Sequence, residues 1–508
     1  MNDSDQPRPA QEQAQVAAGA GLVSIAKIIG GISNLLILVF LTRLLDQATF
    51  ALVALVYLLQ ATINALGTLG LPAALLYYVP KLGPRIERSM GLWTGILLFL
   101  LAVPFALALW LGGPTIEGLL DKPGLAMPLF YLAIYLLADF PGQALPNYLL
   151  ACRSYVGSFV VTMILYLSRM LSLVIPAWLG LPLEQIMFWF AAVAVLRVGL
   201  FLGYFLLLKS GDLAPQGWRI RDLFAYGVPL SLSQIVGKLN VQIDKYMIAA
   251  LCAAEVFAVY SVGAIELPLV SSIAYSVTEA LVPTLVLCYS RREVGGFIEY
   301  WHGAMAKVAA IMMPVFFFFF ILAGPAMRVF FSDAYSEAQI PFRVYLCLLP
   351  LRLCGYGGVV RALGRTRPVL WAALAALVVN VALNYPLYLA FGMAGPATAS
   401  VLAQVAAILV LLAAVRGRLE IPAWRVFPFV RVGRALVVAG LAATPLLFID
   451  RLIQGDVAQL AVGAALFLPL YLVLGRLTRV LTADDFRYLG DLVTLRILKR
   501  ASQKEATS

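Results

Sequence analysis

Ser231, Gln234, Lys238 and Lys245 are separated by three, four and seven residues in a largely apolar stretch running from Ser231 to Leu251. Those spacings place all four side chains on one face of a helix. At about 1.5 Å per residue the stretch is long enough to cross a hydrocarbon core of about 30 Å. An ammonium at such a depth does one kind of chemistry well: it draws an anion out of water. Other apolar stretches carry similar stripes, with Ser24, Lys27, Gly31 and Asn34 in the first, Gln60 and Asn64 in the second, and Ser158, Thr162, Arg169 and Ser172 in the fifth. Arg197 is followed one and two turns later by Phe201 and Tyr204, Arg352 shares a face with Tyr345 and Tyr356, and Asn380, Asn384 and Tyr388 align in the eleventh.

Near mid-span the sequence therefore sets five cations, Lys27, Arg169, Arg197, Lys238 and Arg352, against two acids, Asp139 and Glu266. On insertion scales each charge costs about 2.5 to 3.5 kcal/mol at a helix centre, so the seven together cost on the order of 20 kcal/mol if lipid-facing. They must face water, partners or one another. Two acids can neutralise two cations at most, which predicts a cavity of net positive sign lined by these cations with Asn34, Gln60, Asn64, Gln234, Asn380 and Asn384. For Arg197 the competing reading is a structural ion pair or a carbonyl clamp, and for Arg169 a pair with Asp139. Asp139 and Glu266 read either as proton acceptors or as static salt-bridge partners. Asp244, Lys245, Glu279 and Lys307 fall nearer the span edges, where snorkelling or local pairing explains them without a ligand.

The elements that must hold these residues are membrane helices. The 508-residue chain is 62% hydrophobic and 12% charged, against the usual roughly 25% charged in soluble domains, and its mean hydropathy is +0.92. Apolar blocks of membrane-crossing length recur from Val16 to Leu474, which predicts an all-α polytopic membrane protein of about fourteen spans. The polar connections leave no room for a separate catalytic domain, and no removable signal peptide is expected at the polar N-terminus. The net charge of +11 does not point to nucleic acid, because Lys81, Arg85, Arg88, Arg219, Arg221, Arg291, Arg292, Arg416, Arg418, Arg425, Arg431 and Arg434 gather in alternate connections. That is the positive-inside pattern, and it predicts both termini in the cytoplasm. Cys152, Cys252, Cys288, Cys347 and Cys354 show no CxxC spacing and read as small apolar fillers. One histidine, His302, supports neither a zinc site nor a Ser-His-Asp triad, and no catalytic or metal-ligating residue is assigned.

Weak self-similarity recurs at an offset near 210 residues, pairing Lys27 with Lys238 and Pro72 with Pro283. Six spans fit in that offset, so both copies enter the membrane in the same direction. The expected architecture is two six-helix bundles related by a pseudo-twofold axis along the membrane normal, plus two C-terminal helices. The expected divisions are a polar tail (1–15), a first lobe (16–210), a linker (211–222), a second lobe (223–416), a basic loop (417–434), two further spans (435–476) and a basic amphipathic tail (477–508). Gly30, Gly31, Pro141, Gly142 and Pro146 are expected bends.

"GLPAALLYYVP", "DKYMIAALCAAEVFAVYSVG" and "RALGRTRPVLWAALAALVVNVALNYPLYLAFGMAGPATAS" give the chain a resemblance to the Wzx-type polysaccharide flippases of the multidrug/oligosaccharidyl-lipid/polysaccharide exporter superfamily. The resemblance implies a non-enzymatic transporter in the bacterial cytoplasmic membrane that exports a polyprenyl-diphosphate-linked oligosaccharide by alternating access through a cationic cavity. It implies no bound cofactor, with proton or sodium coupling in some members. As partners it implies membrane lipids and the polymerase and glycosyltransferases of the same pathway. Lipid II flippases of similar fold carry an Arg-Asp pair on the first span, where this chain has "AKII", and drug antiporters typically carry an acid there, absent between Val16 and Thr42. A membrane polymerase or ligase would need a large outer loop rich in acids, arginines or histidines, and the outer loops here are short.

Overall fold

A computed structural model describes residues 9–208, 213 and 218–481. The N-terminal tail up to residue 8, most of the inter-lobe linker and the amphipathic tail from 482 onward lie outside the described residues, as do the side chains of Ser24, Lys27 and Gln234. What is described is helical, with no strand among the described residues. In chain order the helices are α1 (Pro9–Leu44), α2 (Gln47–Gly67), α3 (Leu71–Leu82), α4 (Pro84–Leu120), α5 (Ala126–Gly142), α6 (Ala144–Ala151), α7 (Tyr155–Trp178), α8 (Leu183–Gly203), α9 (Ile220–Leu251) and α10 (Ala254–Gly263). They continue with α11 (Pro268–Ser290), α12 (Val294–Ile321), α13 (Ala323–Phe331), α14 (Gln339–Leu346), α15 (Tyr356–Ala362), α16 (Arg367–Phe391), α17 (Ala394–Leu419), α18 (Phe429–Ala443), α19 (Ile449–Leu452) and α20 (Asp456–Leu477). Among the described residues, 11 helices are long and apolar enough to cross a membrane.

Several apolar stretches are broken rather than continuous. Three residues separate α2 from α3 and four separate α10 from α11, while nine residues of turn and irregular backbone lie between α14 and α15. Backbone that leaves a helix at membrane depth is tolerated where protein or a wet cavity surrounds it, and such interruptions are where transporters build their sites. The break between α5 and α6 follows Pro141 and Gly142, as their composition predicts. Gly30 and Gly31 do not bend the chain: α1 runs through both. Gly30 instead lets α1 close on α7, since a Cβ there would lie 2.4 Å from the Tyr166 ring.

Packing pairs α1 with α7, α4 with α5, α5 with α8, and α16 with both α17 and α9; α18 and α20 lean on α12. The α16–α17 hairpin is tight because Gly395 presents no Cβ to the Leu387 carbonyl, which would lie 2.1 Å away. Large outward-facing apolar side chains such as Leu111, Trp178, Leu196 and Leu389 are what hydrocarbon contact requires of a spanning helix.

Candidate functional site

Between α1, α2 and α7 on one side and α9 and α10 on the other lies a cavity of about 680 Å³. Asn34, Gln60, Asn64, Arg169, Lys238 and Glu266 line it, so the structure brings together residues from five separate stretches singled out in the sequence. Lys238 is exposed to the cavity, and among the described residues no carboxylate lies within 4.0 Å of it or of Lys245. Arg169 reaches the wall from α7, donates from Nη2 to Gln60 Oε1 at 2.6 Å and lies 4.5 Å over the Tyr57 ring. Its Nε is buried without a partner. Gln60, only 2% exposed, thus orients the guanidinium while the ring covers one of its faces.

Other expected cavity residues sit elsewhere. Arg197 is buried off the cavity, 3.6 Å from Asp139, with its guanidinium 5.4 Å from the Tyr135 ring. Asp139 also accepts hydrogen bonds from the Tyr135 hydroxyl at 2.9 Å and from Gln143 at 3.0 Å, so its ionic partner is Arg197 and not Arg169. Arg352 pairs with Glu266 at 2.5 Å, and of that pair only Glu266 is on the cavity wall. The two residues lie in the irregular backbone between α14 and α15 and between α10 and α11, so the pair ties one helix break to the other. Asn380 and Asn384 are not cavity residues either. Both are buried, where Asn380 donates to the Asn240 carbonyl at 2.7 Å and Asn384 donates to the Asn380 side chain at 2.7 Å. Their alignment on one helix face serves the α16–α9 contact. Lys27 and Gln234 are carried by α1 and α9, and their side chains lie outside the described residues.

Sequence reasoning missed two neighbours. Lys245, assigned to a span edge, lines the cavity two turns beyond Lys238; its place on the same helical stripe was the available signal. Asp244 is fully buried. It accepts from the Tyr260 hydroxyl at 2.6 Å, from the Tyr345 hydroxyl and from the Lys245 backbone N–H at 2.8 Å. Three donors from α9, α10 and α14 thus replace the water it has lost. No spacing rule joins residues 244, 260 and 345.

Contacts cross from one side of the cavity to the other toward each of its ends. At the α1–α2 end, Arg43 donates to the carbonyls of Phe330, at 3.1 Å, and Val329. Gln47 donates to Ala334, and the buried Lys122 donates to the Cys252 carbonyl at 2.6 Å. Asp46 caps α2 there by accepting from the Thr49 N–H at 3.0 Å, and that bond holds its carboxyl below its ordinary range. At the α2–α3 end the backbones of Gly70 and Gly227 meet. Gly70 has φ +70°, and a Cβ on it would lie 2.4 Å from the Gly227 carbonyl oxygen, so both a left-handed conformation and a close approach require glycine. Tyr77 stacks on Tyr226 at 4.9 Å beside it, and the Tyr78 hydroxyl donates to the Asp222 carbonyl at 3.3 Å. Between these ends Tyr246 donates to Thr62 at 2.7 Å, joining α9 to α2.

A family model described as polysaccharide biosynthesis protein matches residues 16–287, more than half of the chain. No curated protein gives a significant match. Among solved structures, the fold is similar to that of the lipid II flippase MurJ in an inward closed conformation, with TM-score 0.69 and 13% identity over 89% of this chain and 98% of that one. It is also similar to an inward-facing multidrug resistance MATE family transporter of the MOP superfamily, with TM-score 0.60 and 16% identity over 78% of this chain and 98% of that one. A Vibrio cholerae MATE transporter, VcmN, gives TM-score 0.52 and 16% identity over 80% and 98%.

Proposed function

The chain belongs to the polysaccharide biosynthesis protein family, and from that premise we propose that it is a membrane flippase that carries a polyprenyl-diphosphate-linked oligosaccharide across the bacterial cytoplasmic membrane. The observation that carries the substrate reading is the charge of the cavity wall. Arg169, Lys238 and Lys245 line it, while Glu266, the one acid on the wall among the described residues, is already held by Arg352. A site of that sign favours a diphosphate and opposes a cationic drug. Lys27, which precedes Asn34 by seven residues on α1, is proposed as a fourth basic contributor, and Asn34, Gln60 and Asn64 as hydrogen-bonding partners for sugar hydroxyls.

The broken pairs α2–α3, α5–α6, α10–α11 and α14–α15 each count as one passage in this reading, and with α9 they bring the spans to fourteen. Helices α1–α8 form one lobe and α9–α17 the other, each with breaks in its second and fourth passages, a correspondence that supports a pseudo-twofold repeat. The positive-inside pattern of the basic connections supports a cytoplasmic location for both termini and for the α2–α3 end in this reading. The head group enters when the Gly70–Gly227 seam parts, the polyprenyl tail stays in lipid, and parting of the α1–α2 seam releases the head group outside. Arg169 is held by Gln60 and Tyr57 before any cargo arrives, so little ordering cost falls on binding.

The test is a strain lacking the protein, with lipid-linked repeat units followed by labelling on each side of the membrane. Accumulation on the inner leaflet, corrected by the wild-type gene and not by Lys238→Gln with Lys245→Gln, is the expected result. Single units already displayed outside would instead indicate a polymerase or ligase and overturn the reading.

A further inference from the structure

The α12–α14 end of the molecule has a second cleft, of about 640 Å³, unconnected with the central cavity and bounded by α12, α13 and α14 on one side and the α18–α20 turn on the other. Phe320, Leu446, Leu447 and Ile449 give it an apolar wall, and Arg343 and Asp450 face it as well. Arg343 is half-buried and anchored: its Nε donates to the Phe320 carbonyl at 3.0 Å, at the C-terminal end of α12. Among the described residues its terminal guanidinium nitrogens meet no acceptor and no carboxylate lies within 4.0 Å. The neighbouring Arg328 is different, being neutralised by two hydrogen bonds to Asp456. Asp450 is exposed and, among the described residues, accepts only from the adjacent Arg451 backbone N–H at 3.0 Å.

The cleft therefore presents one unneutralised cation and one unneutralised anion, separated by more than a salt-bridge distance, above an apolar wall. We infer that it holds a zwitterionic phospholipid of the phosphoethanolamine type. The phosphate accepts from the free fork of Arg343, the ammonium donates to Asp450, and an acyl chain lies on Phe320, Leu446 and Leu447. Arginine suits the phosphate because its planar donors match two oxygens at once. A purely anionic lipid gains the same contact but brings no partner to Asp450, and its net charge is opposed there. The lipid bridges the second lobe and the C-terminal helix pair, so it acts as a structural ligand rather than as cargo.

The experiment is native mass spectrometry of the full chain released from micelles containing equal amounts of phosphatidylethanolamine and phosphatidylglycerol. The wild type is expected to retain phosphatidylethanolamine preferentially. Arg343→Gln should lower that retention about tenfold, the lower end of what losing a charge-assisted hydrogen bond removes. Asp450→Asn should keep lipid but lose the preference for ethanolamine. Unfolding temperature in detergent establishes that each variant is folded, and Arg343→Lys gives a second variant that keeps the charge and should bind partially. Equal retention of the two lipids by the wild type, or unchanged retention in Arg343→Gln, overturns the proposal. Displacement of the lipid by soluble glycerophosphoethanolamine at comparable concentration overturns the role of the apolar wall.

Discussion

Removing Arg352 should harm the protein more than removing Arg352 and Glu266 together. The two groups are 2.5 Å apart, with Arg352 18% and Glu266 30% exposed. Between unit charges about 4 Å apart the attraction is about 4 kcal/mol at an effective dielectric of 20 and about 1 kcal/mol in water. Glu266 borders the cavity and keeps some hydration, so the working value lies between these limits, at about 2 kcal/mol of coupling. Arg352→Met leaves the carboxylate beside the cavity without its partner, at a cost near the lower bound of about 3 kcal/mol for a broken buried pair. Adding Glu266→Gln removes that stranded charge and should recover about 2 kcal/mol of it. The assay is a double-mutant cycle on unfolding free energy in detergent, run beside export by the same four proteins. A coupling energy below about 0.5 kcal/mol, within the scatter of independent sites, would refute the view that this pair fastens the two helix breaks together.

Asp244→Ala should cost about 2 to 6 kcal/mol, because it leaves the buried Tyr260 and Tyr345 hydroxyls without their acceptor. Asp244→Asn keeps an oxygen in place and should unfold at a temperature closer to wild type; equal losses in the two variants would show that the tyrosines find other partners. Gly227→Ala puts a Cβ 2.6 Å from the Leu69 carbonyl oxygen and should part the α2–α3 end. In a cysteine-free background, Asn34→Cys should then react faster with an impermeant thiol reagent from that side, and unchanged labelling would count against a seam of bare backbone. Asp46→Ala should remove about 1 kcal/mol of helix capping. Because the Asp46 carboxyl is held below its ordinary range, its contribution is complete above about pH 4 and is lost as pH falls through the lower, folded value. Wild type and variant stabilities measured against pH should therefore converge in acid; a constant gap down to pH 2 would contradict the cap.

Membrane class, span length and the stripe through Lys238 were legible because hydropathy and helical period are local properties. The same periodicity singled out Gln60 and Asn64 on α2, which do line the cavity. Arg197, Arg352, Asn380 and Asn384 satisfy the same pattern and yet face partners. A polar residue on an inward face can meet water or another side chain, and periodicity is blind to which. The acids showed the limit most sharply: counting predicted that two carboxylates would neutralise two cations, but only three-dimensional proximity assigns Asp139 to Arg197 and Glu266 to Arg352. Asp244 was misplaced because its distance from polar neighbours along the chain concealed the two tyrosines that surround it. The helix breaks were also unreadable by hydropathy, since a stretch can stay apolar while its backbone unwinds.

The two seams that cross the central cavity near its ends are bonded unequally. One is tied by a guanidinium, an ammonium and an amide to backbone carbonyls, and hydrogen bonds with charged donors contribute about 1.5 to 3 kcal/mol each. The other rests on glycine backbone, the stacked Tyr77–Tyr226 pair, an edge-on Tyr78–Tyr226 contact and one tyrosine hydroxyl, where an aromatic pair adds about 0.5 to 1.5 kcal/mol beyond its buried area. On these contacts the glycine side would be the easier of the two to part. On the proposed mechanism an empty molecule would open more readily toward the side from which the positive-inside pattern has it reload, and opening the opposite door would fall to cargo or to an ion.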